Sequence, residues 1–167
     1  MVLRLFTAFE AVALGLWLGS MAGFAFLFAP IAIKVVPRLD TFATLVERTL
    51  QALASFGYVC GAIAILCALV RASEPSQRVS TLVRVVLIAL AFAGTAYETR
   101  TIIPTMSALA REIGGPIDSV PADDPRRVAY GRQHRNSTRA YGLSFICALG
   151  ALALAAGTSP GGTPPRS

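Results

Sequence analysis

A carboxylate, a guanidinium, an imidazole and several hydroxyls gathered at one membrane boundary could bind a small polar solute, pass a proton, or ligate a haem or metal. This chain carries such residues in three stretches. Glu98, Thr99, Arg100 and Thr101 fall late in one apolar segment, just before Pro104. Tyr130, His134, Ser137, Thr138 and Tyr141 recur at i, i+4, i+7, i+8 and i+11, which puts them on one face of a helix. Asp40, Thr41, Glu47, Arg48 and Gln51 open an earlier segment. In an antiparallel bundle the three sets share one end, so Glu98, Arg100, His134, Ser137, Tyr141 and Glu47 form a candidate polar pocket. Glu98 and Arg100 point to different faces, and each is expected to pair with another helix. Structural ion pairing is one reading of this set. A functional pocket is the other, because ionisable residues inside a membrane are usually there for a purpose.

Other chemistries are excluded by what is missing. His134 is the single histidine. Bis-histidine haem ligation is therefore impossible, and a zinc site wants three or four protein ligands. Single-axial haem ligation, proton transfer near neutral pH and a boundary hydrogen bond stay open for it. No cofactor is expected, with a haem or metal at His134 as the alternative. Cys60, Cys67 and Cys147 lie inside apolar runs without CxxC spacing and read as small packing residues. No phosphate loop, dinucleotide fingerprint, Ser–His–Asp spacing or HExxH occurs. Glu10, with Arg4, Arg78 and Arg84 at the opposite end, is expected to form a surface ion pair.

The elements that must position these residues follow from composition. The 167 residues are 54% hydrophobic and 14% charged, with mean hydropathy +0.62. So few charges cannot wet the surface of a soluble globule, and the apolar residues must face lipid. Four charge-free runs appear, Ala11–Ile33, Thr49–Val70, Val85–Tyr97 and Ala140–Ser159. The third is too short to cross alone and must draw Arg84 or Glu98 toward the membrane. Helical signals extend the spans to about 8–36, 42–70, 80–103 and 136–157. Pro37 should end the first, and Asp40 or Thr41 cap the second. Ser73–Ser76 should turn, and the third should stop at Gly114-Gly115-Pro116. Asp124 followed by Pro125 should start the fourth. The tail 157–167 is Gly/Pro/Ser-rich and should be disordered. The fold expected is all-α: a four-helix antiparallel transmembrane bundle, with long helices extending beyond the membrane at one end.

Net charge is +6, from fourteen arginines and Lys34, and the basic residues flank the apolar runs. None is interleaved with aromatics as a nucleic-acid groove would need, so the lipid bilayer, and no nucleic acid, is the expected partner. Ten basic residues fall at the end of the first and third loops and five at the other. That bias puts those loops in the cytoplasm and both termini outside. The N-terminal apolar run outlasts a signal core and is read as a retained span. Gly15, Gly19 and Gly23, and likewise Gly57 and Gly61, recur every four residues as helix-packing positions. Contact within the bundle is their first reading, and a homo-oligomer through the glycine faces is the second.

With these residues placed, the chain resembles the transmembrane protein 205-like family, also catalogued as domain of unknown function 4149. The likeness rests on Leu16-Trp17-Leu18-Gly19 through Phe28-Ala29-Pro30, and on Tyr58 to Gly61. It continues in Ile103-Pro104-x-Met106 and Tyr130-x-x-x-His134-x-x-Ser137. It departs at Tyr130, Gln133 and Tyr141. The resemblance implies four membrane helices and no settled activity. The layout is more distantly similar to copper-resistance D-type proteins and to small four-helix membrane protoporphyrinogen oxidases, which implies metal- or haem-related chemistry. The expected function is a non-enzymatic component or transport-related module of a bacterial-type inner membrane. The alternatives are a tetrapyrrole- or metal-handling enzyme using His134, Glu98 and Arg100, and an oligomeric small-solute or ion permease.

Overall fold

The computed structural model describes residues 2–36, 39–72 and 78–157, and among these residues every regular element is helical. Helix α1 runs Val2–Ala22, widens into a π-helical stretch at Gly23–Phe28 and closes over Ala29–Val35. Helix α2 covers Leu39–Arg71. Helix α3 takes in Arg78–Tyr97, a second π-helical stretch at Glu98–Ile102, and Ile103–Ile113. A short turn of 3-10 helix at Ile117–Ser119 leads to α4, Pro125–Gly157. All four helices are long and apolar enough to cross a bilayer. The chain is thus a multi-pass, all-helical membrane bundle. Its third span, Arg78–Ile113, has 36 residues. At 1.5 Å per residue that is about 54 Å, against a hydrocarbon core of ~30 Å.

The helix ends follow from local chemistry. Gly114 closes α3 at φ +72°, a left-handed geometry that glycine adopts without a Cβ penalty. Asp124 caps α4: its Oδ1 accepts from the Arg126 backbone N–H at 2.8 Å, and Pro125 fills the first helical position. The Arg126 guanidinium also donates to both oxygens of the cap, at 3.0 and 2.7 Å. These bonds hold the Asp124 carboxyl down at about 2. The first loop's Pro37, the side chain of Asp40, the Ser73–Ser76 turn and the tail beyond Gly157 lie outside the described residues.

The two π-helical stretches have a common cause. A proline lacks the N–H for an α-helical bond and its ring crowds the carbonyl four residues back. Pro30 follows Gly23–Phe28 and Pro104 follows Glu98–Ile102. In each case the helix widens ahead of the proline: Ala29 N–H donates to Phe24 O, and Ile103 N–H to Glu98 O, both five residues back. Both widened turns lie toward the same end of the bundle.

Packing runs around a ring in which α1 contacts α2 and α4, and α3 contacts α2 and α4. The centre is built from Leu14, Trp17, Ile88 and the small residues Ala64, Ala91, Ala148, Ala151 and Ala155. Leu16, Val59, Leu66, Leu82 and Ile146 are exposed on the outside. On a soluble protein so much outward apolar surface would be an aggregation liability, whereas a bilayer accepts it. Gly57 and Gly61 serve the core directly. A Cβ on Gly57 would sit 2.3 Å from Trp17 Nε1, and one on Gly61 2.5 Å from the Phe92 ring. Gly15, Gly19 and Gly23 are different. Nothing lies within 4 Å of a Cβ built on any of them, because α1 turns Glu10, Ala13, Leu14, Trp17 and Met21 inward instead. The intra-bundle contact expected of the first glycine series is therefore absent among the described residues.

Candidate functional site

Among the described residues two carboxylates are buried, one toward each end of the bundle, and they are treated oppositely. Glu10, on α1, is 0% exposed. Arg84, on α3 and also 0% exposed, donates from Nη1 to both Glu10 oxygens at 2.6 and 2.8 Å. Arg71, at the end of α2, donates to Glu10 Oε2 at 3.0 Å. The remaining Arg84 donors go to Ser80 O at 3.3 Å and Thr81 Oγ1 at 3.0 Å. The surface ion pair expected of Glu10 is thus a buried clamp joining three helices. Sequence reasoning misplaced it because Arg71 and Arg84 bound their apolar runs and looked interfacial. The short third run was the available signal: α3 crosses by taking Arg84 inside the protein rather than into lipid.

Glu98 is 4% exposed and stands at the start of the π-helical stretch of α3. Its Oε1 accepts from Ser137 Oγ of α4 at 2.6 Å. Among the described residues no basic side chain reaches it within ion-pair distance. Tyr141, one turn further along α4, donates its hydroxyl to Met21 O of α1 at 2.8 Å. Thr99 Oγ1 donates to Thr95 O at 2.8 Å. Together Glu98, Thr95, Thr99, Tyr141, Trp17 and Met21 line most of a chamber of about 20 Å³, with Leu50, Leu53 and Ala54 of α2 completing it. That is room for roughly one water molecule. By their positions along the helices, Trp17, Tyr58 and Phe92 lie between the chamber and the Glu10 clamp. Phe92 is 5.5 Å from Trp17 and 5.1 Å from Tyr58, centroid to centroid.

Of the six pocket residues proposed from sequence, the structure joins Glu98 with Ser137 and brings Tyr141 to the same chamber. Arg100 and His134 are exposed instead. Glu47 is engaged elsewhere, accepting from Ser107 Oγ at 2.9 Å and Gln51 Nε2 at 3.3 Å. The ion pairing expected for Glu98 and Arg100 is not found among the described residues. The geometric reason is that Glu98 faces inward among apolar and hydroxyl side chains, while Arg100 projects outward. Among the described residues no three His, Cys, Asp or Glu side chains gather to hold a metal. A larger groove of about 430 Å³, lined by Gly23, Leu27, Phe28, Ile31, Val35 and Leu45 among others, has no polar side chain. It offers shape but no chemistry.

A family model described as Domain of unknown function (DUF4149) matches residues 12–114, more than half of the chain. The chain belongs to the DUF4149 family. The DUF4149 match takes in Glu98, Arg84, Arg71 and both proline-linked π-helical stretches. It stops before α4, so Ser137 and Tyr141 lie outside it, as does Glu10. Comparison with curated proteins and with solved structures finds no match.

Proposed function

We propose that this DUF4149 chain is a non-enzymatic, transport-related component of a bacterial-type inner membrane, and that the chamber around Glu98 is its working part. The observation that carries the reading is the contrast between the two buried carboxylates. Glu10 has two guanidiniums and needs nothing more to be stable inside the bundle. Among the described residues Glu98 has one hydroxyl. An ionisable group kept in a membrane without a countercharge, at a break in helix geometry, is a hallmark of substrate and ion pathways. The tetrapyrrole- or metal-handling alternative loses support because His134 and Arg100 lie on the exposed surface, apart from Glu98.

The finer assignments belong to the same reading. With Arg71 and Arg84 bound to Glu10, few free basic residues are left at the terminal end, which favours extracytoplasmic termini. Within DUF4149 the motifs around Trp17, Pro30, Pro104 and His134 favour a place beside transmembrane protein 205-like proteins. The likeness to copper-resistance D-type proteins is one of layout. The outward stripe Gly15, Gly19 and Gly23 suits contact with a second copy of the chain.

The test is complementation. A strain lacking the gene is grown across graded pH, salt and solute stresses, and each variant is supplied at equal membrane abundance. Glu98→Gln is expected to reproduce the deletion phenotype and Glu98→Asp to retain part of the function. Full complementation by Glu98→Gln would sink the reading.

A further inference from the structure

We propose that the Glu98 carboxyl is a proton-binding site within the membrane, held protonated at neutral pH and exchanging that proton with the aqueous end of the bundle through Ser137. This rests on the reading of the chamber as the working part and names what it takes up.

Among the described residues, every element around Glu98 withholds a countercharge. Helix α1 presents Trp17 and Met21, and α2 presents Leu50, Leu53 and Ala54. On α3 itself the neighbours are Thr95 and Thr99. Helix α4 contributes Ser137 and Tyr141. Among the described residues Tyr141 is the one other titratable group facing the chamber, and its hydroxyl hydrogen is committed to Met21 O. The nearby charged or titratable residues on these helices face elsewhere: Arg100, His134, Arg48 and Arg139 are exposed, and Glu47 is bonded to Ser107 and Gln51. A carboxylate in such surroundings has lost its water and gained no cation, and neutralises instead. Glu10 is the control within the same molecule. It lies deeper by exposure, yet two guanidiniums supply the countercharge that Glu98 lacks.

The lining also separates a proton from a metal cation. A bare alkali or alkaline-earth ion needs a cage of oxygens, and five of the nine chamber residues present carbon, sulfur or an indole. A proton needs one oxygen. In the neutral acid one oxygen still accepts from Ser137 Oγ while the other carries the O–H and donates into the chamber, which has room for a single water. On uptake a hydronium gives a proton to Ser137 Oγ and becomes water while the Oγ–H passes to Glu98 Oε1; the acid then turns its O–H into the chamber and accepts again from Ser137, and release is the reverse. Ser137 is half-buried, and His134, one turn back along α4, is exposed. The route from the acid to the surface of the bundle is therefore about one helical turn long.

The experiment uses the full chain in lipid nanodiscs. Dicyclohexylcarbodiimide, an apolar reagent that attacks protonated carboxyls, is added at neutral pH and the adducts are mapped by peptide mass spectrometry. The infrared band of protonated carboxyl is recorded in parallel. Glu98 is expected to label while Glu10 does not, and yield should fall roughly tenfold per pH unit above the midpoint. Glu98→Gln should abolish both adduct and band. Glu98→Asp, which keeps an acid should the glutamine variant fold poorly, should restore the band. Ser137→Ala should shift the pH at which labelling is lost. Absence of both adduct and band in the natural chain overturns the proposal, as does a band unchanged in Glu98→Gln. Protection from labelling by added sodium at fixed pH also overturns it, in favour of a metal-cation site. Complementation and labelling fail separately: full complementation by Glu98→Gln would leave the natural chain's adduct standing, and a missing adduct in the natural chain would leave the stress phenotype standing.

Discussion

At the scale of single residues, the bundle shows how differently one side-chain type behaves when its partners change. Glu10 depends on Arg84, whose three nitrogens bond Glu10, Thr81 and the Ser80 carbonyl. Arg84→Gln is expected to cost roughly 3–5 kcal/mol, because it leaves a carboxylate buried beside fewer donors. Arg84→Lys should recover only part, since one ammonium cannot replace a three-point fork. Adding Glu10→Gln to Arg84→Gln should cost less than the two single losses combined. Unfolding in mild detergent measures all three. A second prediction concerns Trp17, which is 2% exposed and rests on Gly57. Gly57→Ala forces the indole to move and should destabilise by about 1–3 kcal/mol. Gly15→Ala, with open space around it, should be close to neutral on the same assay. That Glu98 would be drawn toward the bundle was legible from its place beside a short charge-free run. Its isolation was not, because helical phase alone cannot say that Arg100 would face out while Glu98 faces in.

At the scale of elements, start and stop signals were the most readable part of the chain. Asp124-Pro125 and Gly114 act through bonds confined to a few neighbouring residues, so local sequence suffices to find them. The cap gives a pH prediction. The Asp124 carboxyl normally titrates at 3.8 and is held at about 2 in the fold by Arg126. A depressed folded value means the cap's ionic contribution is fully present above the unfolded value and disappears as pH falls through the folded one. The stability difference between the natural chain and Asp124→Ala should therefore be flat near neutrality, shrink below about pH 4 and level off near pH 2. Thermal unfolding across that range checks it. The widened turns were less legible. Pro30 and Pro104 announce a disturbance, but whether a helix answers a proline by ending, kinking or widening depends on the neighbours packed against it.

At the scale of the whole molecule, hydropathy and length carried the architecture: four spans and an even number of crossings. Reporters fused at Met1 and Ser167 should read the same side, and one inserted at Ile117–Ser119 the other. Opposite readings from the two termini would contradict the bundle. The contact between Glu10, Arg71 and Arg84 could not be foreseen at this scale, because it needs three helices in register before any charge can meet another. It also has a mechanical corollary. Helices α1, α2 and α3 are riveted by that knot, whereas the partners of Glu10 include nothing from α4. At the far end it is α4 that grips the others, through Ser137 on Glu98 and Tyr141 on Met21. The fourth helix is instead held along its length by packing, with Ala148, Ala151 and Ala155 sunk in the common core, so the hydroxyls it brings to the acid are set in place without any charge of their own.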